Sequence, residues 1–154
     1  MSVFNPSQFL STTFPGGEKL DTVRIPPPEG EYHASVIKVA GRAWKNEETN
    51  QEQPYMDVSW ELEDLEGKIK AITGRDKNVV VQGIALDLTP EGNIDRSKGQ
   101  NVGLGRLLEA VGLNGKKWSP TGLQGMRARV LVTHRSTDQG PMAQIRKVLS
   151  NSAA

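Results

Sequence analysis

Residues 55–73, YMDVSWELEDLEGKIKAIT, decide the fold class. Successive side chains of an extended chain point to opposite faces, so Met56, Val58, Trp60 and Leu62 share one side and Tyr55, Asp57, Ser59 and Glu61 the other. That alternation predicts a half-buried β-strand. Asp64, Leu65, Glu66 and Gly67 then offer a turn, with glycine able to take the positive φ such a turn often needs, and residues 68–73 are expected to return alongside as the second strand of a hairpin.

Working outward, residues 31–40 read as an earlier strand. Tyr32, Ala34 and Val36 alternate, then Ile37 and Val39 take the opposite parity, which predicts a bulge or strong coiling near Val36 and Ile37 of the kind that small barrels use. Residues 41–54 are polar and turn-rich and are expected to form a long loop. After the hairpin, residues 79–88 read as a strand broken by a bulge at Gly83, with Ile84, Leu86 and Leu88 alternating. Asn101 is placed to cap a short helix that runs to Val111, because Leu104, Leu107, Leu108 and Val111 keep the spacing of one apolar stripe and Gly112 can stop it. Such a helix is suited to plug an open end of the sheet. Met126, Ala128, Val130 and Val132 face inward on a further strand, residues 134–141 turn the chain, and residues 143–149 return.

The chain has 154 residues, enough for one domain with a real core. Gly and Pro are plentiful, at 16 and 9, which suits a mainly β, turn-rich protein. The domain reading is an extended N-terminal arm over residues 1–30, a β domain over residues 31–149 and a short polar tail over residues 150–154. The arm holds all three phenylalanines, Phe4, Phe9 and Phe14, and ends in Pro26, Pro27 and Pro28, which favour an extended course. Two uses of those rings stand open: packing across the chain's own domain, or docking onto a neighbouring subunit or partner.

Composition also excludes chemistry. Without cysteine there is no disulfide, thiolate metal site or Cys nucleophile. His33 and His134 are far apart and lack metal-ligand spacing, so no metal is expected. Gly103-Leu104-Gly105 is only a fragment of a dinucleotide fingerprint, Gly115-Lys116-Lys117 only a fragment of a P-loop, and neither supports a cofactor. The carboxylates Glu61, Glu63, Asp64 and Glu66 belong to a hairpin tip and read as solvated charge, and no motif sets up a serine nucleophile. The expectation is a binding protein, not an enzyme. No apolar run approaches the length of a membrane span and the N-terminus lacks the pattern of a signal peptide, so a soluble intracellular protein is expected.

Net charge is +1, so any electrostatic site must be local. What remains is a set of cations interleaved with aromatics. Arg42, Trp44 and Lys45 follow the first strand, Tyr55 opens the next, and Lys68, Lys70, Arg75 and Lys77 follow the acidic tip. Arg127, Arg129, His134 and Arg135 decorate the terminal hairpin, while Lys116, Lys117 and Trp118 follow the helix. Single-stranded nucleic acid is bound by such mixtures, cations neutralising phosphates while rings stack on unpaired bases.

The order of motifs points the same way. Pro28-Glu29-Gly30-Glu31-Tyr32, the strand of residues 55–61, Leu65-Glu66-Gly67-Lys68, Leu107-Leu108-Glu109-Ala110-Val111-Gly112 and the run from Leu123 to Val130 together resemble a family of small tailed-phage proteins that look like OB-fold single-stranded DNA-binding proteins. The similarity covers residues 28–149. It implies an OB-like five-stranded barrel or curled antiparallel sheet with one short helix, single-stranded DNA held by strand faces and loops, a role in replication or recombination, and the cytoplasm of an infected bacterial host. The chain departs from many single-strand binders in ending Ser150-Asn151-Ser152-Ala153-Ala154, without an acidic tail for recruiting partners. A second function stays open beside this one: a structural or assembly protein, such as a virion component, that grips neighbouring subunits through Phe4, Phe9 and Phe14. Exposed sheet edges would also allow homo-oligomers.

Overall fold

The computed structural model of the chain describes residues 4–150. Five strands form one antiparallel sheet: β1 (Gly30–Lys45), β2 (Glu52–Leu62), β3 (Val79–Ala85), β4 (Arg127–Thr137) and β5 (Gly140–Leu149), in the order β3-β2-β1-β4-β5. Helices are few and short: α1 (Pro6–Ser11), α2 (Lys68–Thr73), α3 (Val102–Ala110) and a single 3-10 turn at Thr121–Leu123. The fold is mainly β, as the alternating patterns predict.

The long β1 strand is shared by both halves of the sheet. Its first residues, Gly30 to Ser35, pair with β4, and Ala34 to Lys45 pair with β2. The parity switch seen in the sequence is a real bulge, because the β1–β2 register shifts between Val36 and Lys38 and leaves Ile37 outside. Val36 donates its N–H to Met126 O at 2.9 Å and its carbonyl accepts from Gly125 N at 2.7 Å, so the bulge is fastened to the start of β4.

The inward residues of β2 are those predicted. Met56, Val58, Trp60 and Leu62 are buried, and the Trp60 indole N–H donates to Gln82 Oε1 at 3.0 Å, so burying the ring leaves no donor unsatisfied. Val130 and Val132 of β4 and Val80 and Ile84 of β3 complete that side. Leu104, Leu107 and Leu108 of α3 close the core from the end where β3 and β5 approach, and the helix touches both strands. Gly112, at φ 77°, stops it.

Four expectations are corrected. Residues 68–73 are not the return strand of a hairpin but helix α2. Asp64 accepts from the N–H groups of Ile69 (3.0 Å) and Lys70 (2.9 Å), Gly67 sits at φ 71°, and Ile69 buries its side chain. Over six residues the pattern KIKAIT fits a single helical turn as well as a strand, and the acceptor at Asp64 selects the helix. Residues 41–54 are not a long loop: β1 and β2 continue through them to a tight turn, where Asn46 Oδ1 accepts from Glu48 N and Thr49 N. Gly83 carries no bulge, since the register runs unbroken from Tyr55↔Ala85 to Glu61↔Val79.

Asn101, the fourth case, does not cap α3 with its side chain. It lies at φ 53° and staples the preceding loop, accepting from Asp87 N at 2.8 Å and donating to the carbonyls of Asp87 and Asp95. The arm also differs from a purely extended one, because Asn5 accepts from Gln8 N at 3.1 Å and Pro6 opens α1. That helix buries none of its residues. Of the tail, Ser150 alone lies within the described residues.

Candidate nucleic-acid interface

Beyond the bulge, alternation puts Lys38, Ala40, Arg42 and Trp44 of β1 on the outer face of the sheet, opposite the buried side of β2. Arg42 stands beside Tyr55 in the register, and its guanidinium carbon lies 4.4 Å from the centre of the Tyr55 ring. The same guanidinium donates from Nε and Nη2 to the two carboxylate oxygens of Asp57, at 2.8 and 3.1 Å. This fork holds the Asp57 carboxyl below the usual carboxylate range and raises the Arg42 pKa further. Gly83 faces the pair: a Cβ there would lie 3.3 Å from Asp57 Oδ1 and 3.4 Å from Arg42 Nη2. A side chain at this position would make the ion pair give way by a few tenths of an ångström.

The edge strands β3 and β5 approach one another without a hydrogen-bonded ladder between them. The space along this seam is a groove of about 1020 Å³. Among the described residues its cations are Arg24, Arg42, Arg75, Lys77 and Arg135, and its one carboxylate is Asp57. Val81, Met142 and Ile145 supply apolar wall, Gln82 and Gln144 polar wall. Tyr55 adjoins the groove through Arg42. Trp44 lies two residues further along β1 on the same face and is 52% exposed, not seated among aliphatics.

Four of the sequence-predicted cations therefore meet here: Arg42, Arg75, Lys77 and Arg135. The others are placed elsewhere. Lys45 is exposed at the end of β1, and Lys68 and Lys70 on α2 pair with Glu66 and Asp76. The Asp76 partner raises the Lys70 pKa. Arg127 pairs with Glu63 at 3.2 Å, and Arg129 pairs with Glu31 at 2.8 Å and donates to Ser150 O. Arg127 lines a second hollow, of about 590 Å³, whose other charged residues are Glu61, Glu63, Asp64 and Asp76. His134 holds the arm: its backbone N–H donates to Glu29 Oε2 at 2.8 Å and its Nε2 lies 2.6 Å from Pro27 O.

Phe4, Phe9 and Phe14 cluster with one another, with ring centres 5.3 and 5.5 Å apart, and all three are exposed. Sequence reasoning overlooked Arg24, which reaches the groove from the arm. The only local signal was its position just before Ile25 and the three prolines.

Among the described residues no group of three or more His, Asp or Glu side chains is placed to hold a metal ion, and no helix is long and apolar enough to cross a membrane. No protein-family model matches the chain, and no curated protein matches it.

Proposed function

We propose that this protein binds single-stranded DNA without sequence preference, coating unpaired strands during replication or recombination, and that the β3–β5 groove is where the strand lies. The observation that carries this reading is the gathering of five cations against one carboxylate along the groove, with Trp44 and Tyr55 on the adjoining face. Cations spaced along a track neutralise successive phosphates, while exposed rings stack on bases of any identity. It is a binding role, not an enzymatic one.

An OB-like barrel is the architecture that fits best. Its support is the strand order, the sharing of β1 by both halves of the sheet, the approach of the two edge strands and the helix between β3 and β4. In that architecture the β1–β2 and β4–β5 loops and the outer face of β2 and β3 flank the ligand, which is where Trp44, Lys45, Tyr55 and Arg135 fall. The resemblance to small tailed-phage proteins carries the setting, the cytoplasm of an infected bacterial host.

The test is titration of fluorescent oligo(dT) at several salt concentrations, with duplex DNA as competitor. Binding that weakens steeply with salt and prefers the unpaired strand is expected, because phosphate neutralisation releases counterions. Absence of binding at low salt, or affinity indifferent to salt, defeats the proposal.

One observation favours a second reading. Three exposed phenylalanines, with Phe9 on a helix that buries nothing and its ring packed against Phe4 before the helix and Phe14 after it, are a surface suited to grip another subunit, as an assembly protein would use. Replacing Phe4, Phe9 and Phe14 by serine separates the two. If assembly is the function, the substitution abolishes self-association; if strand coating is the function, oligo(dT) affinity is largely retained.

A further inference from the structure

We infer that residues 22–27 of the arm form a wall of the nucleic-acid groove and that Arg24 is a phosphate-binding residue held there by the arm's anchors. The inference rests on the single-strand-binding reading and deepens it, giving one of the five groove cations a phosphate contact and the arm a structural part in the site.

The arm is pinned at consecutive points. Pro27 is buried, and its carbonyl, which can only accept, lies 2.6 Å from His134 Nε2, so the imidazole proton sits on that nitrogen. Pro28 O accepts from the Tyr32 hydroxyl at 2.6 Å, and Ile25 O accepts from Arg75 Nη2 at 2.9 Å. Val23 covers Gly140 so closely that a Cβ on the glycine would come within 2.6 Å of Val23 Cγ1. His134 and Gly140 belong to the β4–β5 hairpin, whereas Arg75 precedes β3. The arm therefore ties together the two rims of the groove.

Arg24 lies between two of these anchored residues, Val23 and Ile25, and its side chain lines the groove with Thr22, Pro26 and Pro27. It takes part in no ion pair among the described residues. Arg42 by contrast is already engaged by Asp57. A cation with its backbone fixed on both sides and its charge uncompensated loses little freedom on meeting a phosphate, which makes it a strong contributor for its size.

The experiment compares wild type, Arg24→Ala and Arg24→Lys as full-length chains in oligo(dT) titrations over a salt series, with thermal melting of each. Arg24 is exposed, so the melting temperatures are expected to coincide. If the inference holds, Arg24→Ala lowers the slope of log affinity on log salt by about 0.7, the value for one phosphate contact on a single strand. Affinity at low salt falls about ten-fold, and Arg24→Lys recovers most of both. Wild-type binding with an unchanged Arg24→Ala slope overturns this inference and leaves the groove reading intact. Tighter binding by Arg24→Ala overturns it too, since the arm would then be competing for the groove. A wild type that does not bind at all removes both.

Discussion

Two hollows of this molecule carry opposite electrostatic character. The groove between β3 and β5 presents five cations to one carboxylate, whereas the hollow beside the β1 bulge sets Glu61, Glu63, Asp64 and Asp76 against Arg127. A net charge of +1 conceals this separation, because the sum over a chain says nothing about which face each charge occupies. Local pairing also divides the cations of the chain. Lys68, Lys70, Arg127 and Arg129 each have an acid within reach, and a cation so engaged has less to offer a phosphate than Arg24 or Lys77, which are in none of the ion pairs among the described residues.

Substitutions on the two sides should therefore behave differently. The largest effect is expected from Lys77→Ala with Arg135→Ala, which removes two groove cations: the salt slope should fall by about 1.4, at about 0.7 per contact, with roughly a hundred-fold loss of low-salt affinity in oligo(dT) titrations. Next comes Trp44→Ala, expected to cost about 1 to 3 kcal/mol of binding by loss of a stacking platform, with its salt slope unchanged. That contrast in slope distinguishes ring from cation.

Asp57→Asn should act in the other direction. It removes the groove's only carboxylate among the described residues and releases Arg42, so affinity should rise by no more than a few-fold, since the pair is partly exposed. Its stability effect has a definite sign. The Asp57 carboxyl has its native pKa lowered by Arg42, so its contribution is complete above the ordinary carboxylate range and disappears as pH falls through the lowered native value. The melting-temperature gap between wild type and D57N should be widest at neutral pH and close in acid. The smallest effect is predicted for Lys68→Ala with Lys70→Ala, cations already paired on α2, for which oligo(dT) affinity should change by less than about two-fold. A large loss there would erase the distinction between the two sides.

Much of the sheet was legible in local patterns. The inward face of β2, the bulge at Ile37, the inward face of β4 and the apolar stripe of α3 each depend on periodicity over a few residues, and burial follows that periodicity. The errors came where pattern was short or chemistry distant. Six residues could not separate a strand from the helix that Asp64 stabilises. The polar residues at the ends of β1 and β2 hid a ladder of backbone hydrogen bonds, to which side-chain polarity is blind.

The candidate site was legible only in part for the same reason. Arg42 and Arg135 share a groove because the edge strands β3 and β5 are brought close to one another, a consequence of the whole topology. Likewise no local reading of Arg127 or Arg129 could supply their partners Glu63 and Glu31, which lie far away in sequence. Gly83 is a further case. Its absence of a side chain suggested a backbone irregularity, whereas the ladder runs straight through it and the space above it is taken up closely by Asp57 and Arg42.

The fastening of Val36 to Gly125 and Met126 bears on how the chain is made. The β1–β2 hairpin can form soon after Leu62 leaves the ribosome, but the other edge of β1, from Gly30 to Ser35, must wait for β4. Through that interval the nascent protein carries an uncovered strand, a template for unwanted pairing with other chains. Fragments that stop short of Met126 should be the aggregation-prone ones, and β4, made late, acts as the seal on β1, made early.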